Sequence, residues 1–242
     1  MKNNAVLKNR FVAVFDILGF SNLLKDEGTE KLYKFYNRSL EAWVSHSAVQ
    51  NTMLDTENNA LRPDLNSQRV GYKIFSDTII YWTEGDSIED FVCIMLSSLK
   101  LLALGFNKAG LRGAIGYGDF IADGDIFLGT AIVDAYEGEQ SQVWSGCILT
   151  KNCENFCKQV GFFEEYDALN KILVRYPVPK QIRNKESGSK SYEKEEAFCI
   201  DWTTHWRDRG VATKGIRDSV KNHEKLIKQN TIAFEEWARN RS

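Results

Sequence analysis

Two aspartates stand where apolar runs would bury them. Asp16 follows Phe11-Val12-Ala13-Val14-Phe15, and Asp77 sits between strand-like pieces inside the stretch Tyr72 to Trp82. An unbroken apolar run is the pattern of a strand covered on both faces. A carboxylate buried at such a position is costly unless a cation or hydrogen bonds compensate it. Two carboxylates brought to one site repel each other, and one stays protonated near neutral pH unless a metal holds both. A pair of divalent metal ions is the economical way to keep both ionised.

The elements that must position these groups follow from periodicity. After the first strand, Ser21-Asn22 opens a short helix and Thr29-Glu30 a longer one, with Leu32, Phe35, Tyr36, Leu40, Trp43 and Val44 at helical spacing. The polar segment Gln50 to Gln68, with Pro63, reads as a loop. Arg69 to Ser76 and Thr78 to Glu84 form a hairpin around Asp77. Asp86-Ser87-Ile88-Glu89 starts a buried helix that runs to Phe106 and ends near Gly110. Leu111 to Phe120 is a strand, followed by a turn at Ala122-Asp123-Gly124-Asp125, a helix from Gly129 to Gln142 and a strand from Val143 to Thr150. This order predicts an α+β fold with helices on one face of a mainly antiparallel, ferredoxin-like or palm-like sheet. Residues 1–150 form the expected catalytic domain. Residues 151–242 form an extension packed on it, with paired strands at Lys171 to Tyr176 and Ala197 to Trp202. A surface loop over Pro177 to Glu196 and an amphipathic helix over Asp218 to Arg239 complete it.

The chain of 242 residues is 43% hydrophobic and carries a net charge of −2, so composition makes no case for a nucleic-acid partner. No apolar stretch reaches membrane-span length, and the N-terminal residues lead into a strand rather than a signal peptide. A cytoplasmic protein is expected, with no stable membrane partner. The five cysteines read as reduced core thiols rather than a metal site.

Four segments, in order, resemble the motifs of class III nucleotide cyclases: Phe15-Asp16-Ile17-Leu18-Gly19-Phe20, Ser76-Asp77, Leu111-Arg112-Gly113-Ala114-Ile115-Gly116-Tyr117-Gly118, and Asp125-Ile126-Phe127-Leu128-Gly129. The resemblance implies two divalent ions, Mn2+ or Mg2+, held by Asp16 and Asp77 with the Ile17 carbonyl. Backbone amides around Gly19 and Phe20 would cradle phosphates at a helix start. Lys73 and Asp125 match the positions that read the base in the purine-specific relatives, and Tyr117 or Tyr72 would supply stacking bulk. The plain alternatives are that Asp16 caps a short helix, Asp77 and Asp125 occupy turns, and Lys73 is solvated.

The family carries an asparagine and an arginine on the helix where Val133 and Glu137 stand here, and neither can supply a cation or donor to the transition state. Arg112 is the candidate replacement, against an exposed strand arginine. The combination is similar to the compact bacterial pyrimidine cyclases of the Pycsar antiphage system. That resemblance implies a homodimeric enzyme making cyclic UMP from UTP, and a separate effector protein activated by the product. Cyclic CMP synthesis, a purine cyclase favoured by Lys73, and a non-catalytic nucleotide-binding regulator are the alternatives.

Overall fold

The structure, a computed structural model, describes residues 7–48, 50–55, 60–68, 70–105, 110–165, 172–183, 190–205 and 222–240. Strand β1 (Lys8–Ile17) is followed by helices α1 (Phe20–Glu27) and α2 (Thr29–Phe35), a π-helical turn (Tyr36–Leu40) and α3 (Glu41–Ser47). A separate two-stranded hairpin, β2 (Gln50–Asp55) and β3 (Ala60–Gln68), precedes the hairpin β4 (Val70–Phe75) and β5 (Thr78–Thr83). Then come α4 (Ile88–Gly105), β6 (Leu111–Asp123), the short β7 (Ile126–Leu128), α5 (Thr130–Gln140) and β8 (Gly146–Leu149). Helices α6 (Lys151–Gln159) and α7 (Phe162–Glu165), strands β9 (Leu173–Arg183) and β10 (Lys190–Ile200), and helix α8 (Asn222–Arg239) follow.

The main sheet runs β4-β5-β1-β6-β8-β10-β9, with β7 paired to β6. Every pairing is antiparallel except β6 with β8, which are parallel and joined through α5. β1 lies at the centre, so alternate side chains face two covered layers, which is why its apolar run is unbroken. Phe11, Phe15 and Ile17 enter the large core with α4 residues such as Phe91, Met95 and Leu102. Val12 and Val14 point the other way, into a smaller cluster with Phe120 of β6 and Ala131 and Ala135 of α5. Helices therefore cover both faces, not the single face expected. Small residues let α5 lie close: a Cβ on Gly116 would come within 2.5 Å of the Ala131 carbonyl oxygen.

Local chemistry sets the boundaries. Ser87 and Asp90 cap α4 reciprocally, the Ser87 hydroxyl accepting from the Asp90 amide at 3.2 Å and the Asp90 carboxylate from the Ser87 amide at 3.1 Å. Gly129, at φ 138°, turns the chain from β7 into α5 where any Cβ would collide with the Asp119 carbonyl.

Two expected loops contain strands. Gln50 to Gln68 holds the β2–β3 hairpin, whose register sets Thr52 opposite Pro63. In a two-stranded sheet both strands are edges, where proline is tolerated. Pro177 to Glu196 holds much of β9 and β10, with Glu196 opposite Pro177 and Pro179 opposite Lys194. β9 is the sheet's outer strand, so its prolines break no interior ladder. The centre of that expected loop (184–189), the expected α4 end (106–109), and the edges of expected elements at Arg69, Lys171 and 218–221 lie outside the described residues.

The sheet does not stop at residue 150. β10 pairs with β8 through Cys199 and Ile148, and Phe234 of α8 packs edge-on against Trp144 at a centroid distance of 4.7 Å. Asn230 of α8 donates to the Val143 carbonyl at 2.7 Å, and Thr231 accepts from the Ser145 amide at 2.9 Å. Thus α8 fastens the loop before β8.

Candidate active site

Asp16 stands near the end of β1, and Asp77 lies in the turn between β5 and the edge strand β4. Asp16 lies opposite Thr78 of β5 on one side and opposite Arg112 of β6 on the other. The Ile17 amide donates to the Asp77 carbonyl at 3.0 Å, which ties the end of β1 to the β4–β5 turn. That turn is a two-residue loop, Ser76-Asp77, between the paired Phe75 and Thr78. Ser76 takes φ 55°, a left-handed conformation that costs a residue with a Cβ about 1–2 kcal/mol. Such strain persists where the surrounding pairing fixes the turn.

Asp16 has the parity of Val12 and Val14 and so faces the α5 layer. There Arg112 directs Nε to Glu139 Oε1 at 2.5 Å, Nη1 to the Gln142 carbonyl at 3.0 Å, and Nη2 to Asp16 Oδ2 at 3.5 Å. The arginine is buried, not the exposed strand residue of the plain alternative, and its guanidinium is committed to protein acceptors. Its three contacts tie Asp16 on β1 to Glu139 of α5 and to the Gln142 carbonyl after that helix.

Glu139 carries no motif in the sequence, yet its side chain is only 1% exposed. The signal available for it is the spacing Ala131, Ala135, Glu139, one stripe of α5 turned to the sheet. Burial raises its pKa, against the lowering effect of Arg112. Burial also raises that of Asp16, to about 6, with Glu139 and then Asp77 adding to the rise and Arg112 opposing it. Asp16 and Glu139 contact the one guanidinium and Asp77 acts on both through space, a surplus of two negative charges when all are ionised.

That surplus, and the all-oxygen donors, suit a hard divalent cation such as Mg2+ or Mn2+, which takes few protein carboxylates and completes its shell with water and substrate phosphate. Among the described residues no group of three or more His, Cys, Asp or Glu side chains gathers as a self-sufficient metal cage.

Beyond Asp16, Gly19 at φ 74° caps α1, which begins at Phe20 with no capping side chain and no acidic residue in its first turn. Across the same sheet face, Lys73 lies opposite Ile80, and its Nζ pairs with Asp125 Oδ1 at 2.6 Å. The sequence names these two residues separately; the fold joins them. Val133 and Glu137 are both exposed on α5, Val133 at 55%.

Tyr117 does not join the site. It lies opposite Phe11, five residues from the Asp16–Arg112 position and on the other sheet face. Its ring packs on Phe156 at 4.7 Å and its hydroxyl donates to Asp86 at 3.1 Å. Tyr72, opposite Tyr81, likewise belongs to the large core rather than to the Lys73 face.

No helix among the described residues is long and apolar enough to cross a membrane. No protein-family model and no curated protein sequence matches the chain. Among solved structures, the chain is similar to the catalytic core of a rhodopsin-guanylyl cyclase with converted specificity in complex with ATPαS. That likeness has 13% identity and a TM-score of 0.48 over 82% of this chain and 98% of that one. It is also similar to an adenylate/guanylate cyclase/hydrolase from Silicibacter pomeroyi, with 9% identity and a TM-score of 0.43 over 81% and 98%.

Proposed function

We propose that the chain is a metal-dependent nucleotide cyclase. The 3′-oxygen of a nucleoside triphosphate bonds to the α-phosphorus, pyrophosphate leaves, and the hydroxyl proton passes to solvent. The observation that carries this reading is the Ile17–Asp77 backbone bond, which sets Asp16 and Asp77 at neighbouring strand ends beside an excess of negative charge. Asp16, Asp77 and the Ile17 carbonyl would hold the metal ions. Bound there, two divalent cations lower the pKa of the 3′-hydroxyl and neutralise the triphosphate. The amides after Gly19 face phosphate at the start of α1. Arg112, oriented by Glu139, holds Asp16 in place rather than touching substrate.

Lys73 and Asp125 read the base as a pair. The lysine is the donor that uracil O4 or a pyrimidine O2 requires, and UTP is the proposed substrate, with cyclic UMP as product. The carboxylate beside Lys73 is also the acceptor that the 4-amino group of cytosine requires, so cyclic CMP is the second product to look for. The exposed apolar side chains Phe75, Ile126, Leu128, Val133 and Tyr136, on β4, β7 and α5, support a homodimer in which a second copy covers them. The sequence resemblance extends the proposal to an antiphage messenger read by a separate effector.

Purified protein incubated with Mn2+ and equal UTP, CTP, ATP and GTP, followed by product separation, tests the reading. Cyclic UMP is the expected main product. Mostly cyclic AMP or cyclic GMP overturns the pyrimidine assignment, mostly cyclic CMP overturns only the base, and no cyclic product leaves a nucleotide-binding regulator.

A further inference from the structure

We propose that Tyr36 belongs to this site, its hydroxyl being the donor that a metal-chelated phosphate of the substrate accepts. The inference rests on the metal–triphosphate reading above and goes beyond its motif residues, none of which is Tyr36.

Tyr36 opens the π-helical turn between α2 and α3, where the Glu41 amide reaches back five residues to the Tyr36 carbonyl. Such turns widen a helix locally and are frequent at functional sites. The Tyr36 ring is fixed by Phe20, with centroids 6.1 Å apart, and by Phe35 at 6.3 Å. Phe20 is the first residue of α1, so the same aromatic contact ties Tyr36 to the turn offered to phosphate. The hydroxyl is buried and has no hydrogen-bond partner among the described residues. A buried hydroxyl left unpaired is uncommon and asks for a ligand or an ordered water.

The neighbouring charge narrows what that ligand can be. Burial first, and then the negative charge of Asp77, push the Tyr36 hydroxyl up to about 12, so it remains a neutral donor. Asp77 repels a bare anion, and an apolar ligand leaves the donor unmet. An oxygen-rich anion already chelated by a cation satisfies both the carboxylate and the phenol. A polyphosphate carried by Mg2+ or Mn2+ has that chemistry.

The experiment compares the full chain with Tyr36→Phe, which removes only the hydroxyl, by thermal melting. Both proteins are melted alone, with Mn2+, and with Mn2+ plus inorganic tripolyphosphate or UTP. The variant should melt no lower than the parent without ligand and respond equally to Mn2+ alone. It should bind Mn2+–tripolyphosphate and Mn2+–UTP roughly tenfold more weakly, the size expected for losing one hydrogen bond to a charged group. Its KM for the nucleotide should rise by a similar factor. Equal shifts in both proteins overturn the proposal, because the hydroxyl then meets only water. A variant that melts well below the parent without ligand also overturns it, because the hydroxyl is then structural. Weakening with UTP but not with tripolyphosphate moves the contact from phosphate to nucleoside and overturns it as stated. Parent protein that binds Mn2+–tripolyphosphate but forms no cyclic product defeats the cyclase reading while the Tyr36 contact stands. No binding by the parent defeats both.

Discussion

Arg112 and Glu139 form a buried ion pair between the central strand β6 and helix α5, Nε to Oε1 at 2.5 Å, and the same guanidinium reaches Asp16 through Nη2 at 3.5 Å. Removing one member leaves the other charged and without its partner in a dry layer. Glu139→Ala should therefore destabilise the protein by about 3–5 kcal/mol in urea denaturation. The double replacement Arg112→Met/Glu139→Leu should recover most of that loss, because apolar groups of similar volume suit the same space. Activity should stay low in the double variant, since Asp16 has lost the group that holds it. Full activity there would show that the pair serves stability alone.

The pKa of Asp16 gives the metal-free protein a signed pH dependence. Folding raises this carboxyl from 3.8 to about 6, so the folded chain holds the proton more tightly than the unfolded one. The stability linked to that proton is complete below about pH 4 and is lost as pH rises through about 6. Urea midpoints of the metal-free protein should fall across this window on account of Asp16. Asp16→Asn, which cannot ionise, should flatten the slope, and an unchanged slope would place the responsible group elsewhere.

Asp77 accepts from the Ile17 amide through its backbone, and the proposed function gives its side chain to the metal ions. Asp77→Ala keeps the carbonyl that accepts from Ile17, so the far-ultraviolet circular dichroism and melting behaviour should change little. Turnover should fall to background, and added Mn2+ should no longer raise the melting temperature. A variant with near-parental turnover would remove Asp77 from the mechanism.

Helix α8 acts on the site at one remove. Thr231 accepts from the buried Ser145 amide at 2.9 Å, and Ser145 Oγ in turn donates to the Leu111 carbonyl at 2.8 Å, the residue before Arg112. Thr231→Val keeps the volume but leaves that amide unsatisfied, at a cost of about 1–3 kcal/mol. Chemical denaturation should register the loss, and kcat should drop while the KM for nucleotide holds, because the substrate contacts are untouched. A rise in KM alone would argue for direct contact between this region and substrate.

Much of this frame is legible in the residues, because apolar runs and turns are local. β1, the β4–β5 hairpin and β6 announce themselves in that way. The start of α4 is legible too, read at Asp86-Ser87-Ile88-Glu89, although the reciprocal cap joins Ser87 to Asp90. The parity that removes Tyr117 is also legible, since five steps from Arg112 along a strand reverse the face. What the sequence hides is non-local. A glutamate at position 139 reads as a solvated helix residue until an arginine 27 residues earlier arrives from the neighbouring strand. The Lys73–Asp125 pair spans 52 residues and depends on the β6–β7 turn reaching a residue inside the edge strand β4. The β2–β3 pairing is hidden for a different reason: its strands lie outside the main sheet, so no apolar alternation is required of them.

Helix α8 also bears on when the site exists. Leu18, two residues after Asp16, packs with Val143, Leu226 and Ile227, so the turn beside the aspartate is lined by a helix that follows it late in the chain. On the ribosome both aspartates emerge long before α8 does. Until that helix docks, Leu18 lacks its cover and the Ser145 amide its acceptor. For the proposed activity, the expectation is that a nascent chain stays inactive until α8 docks.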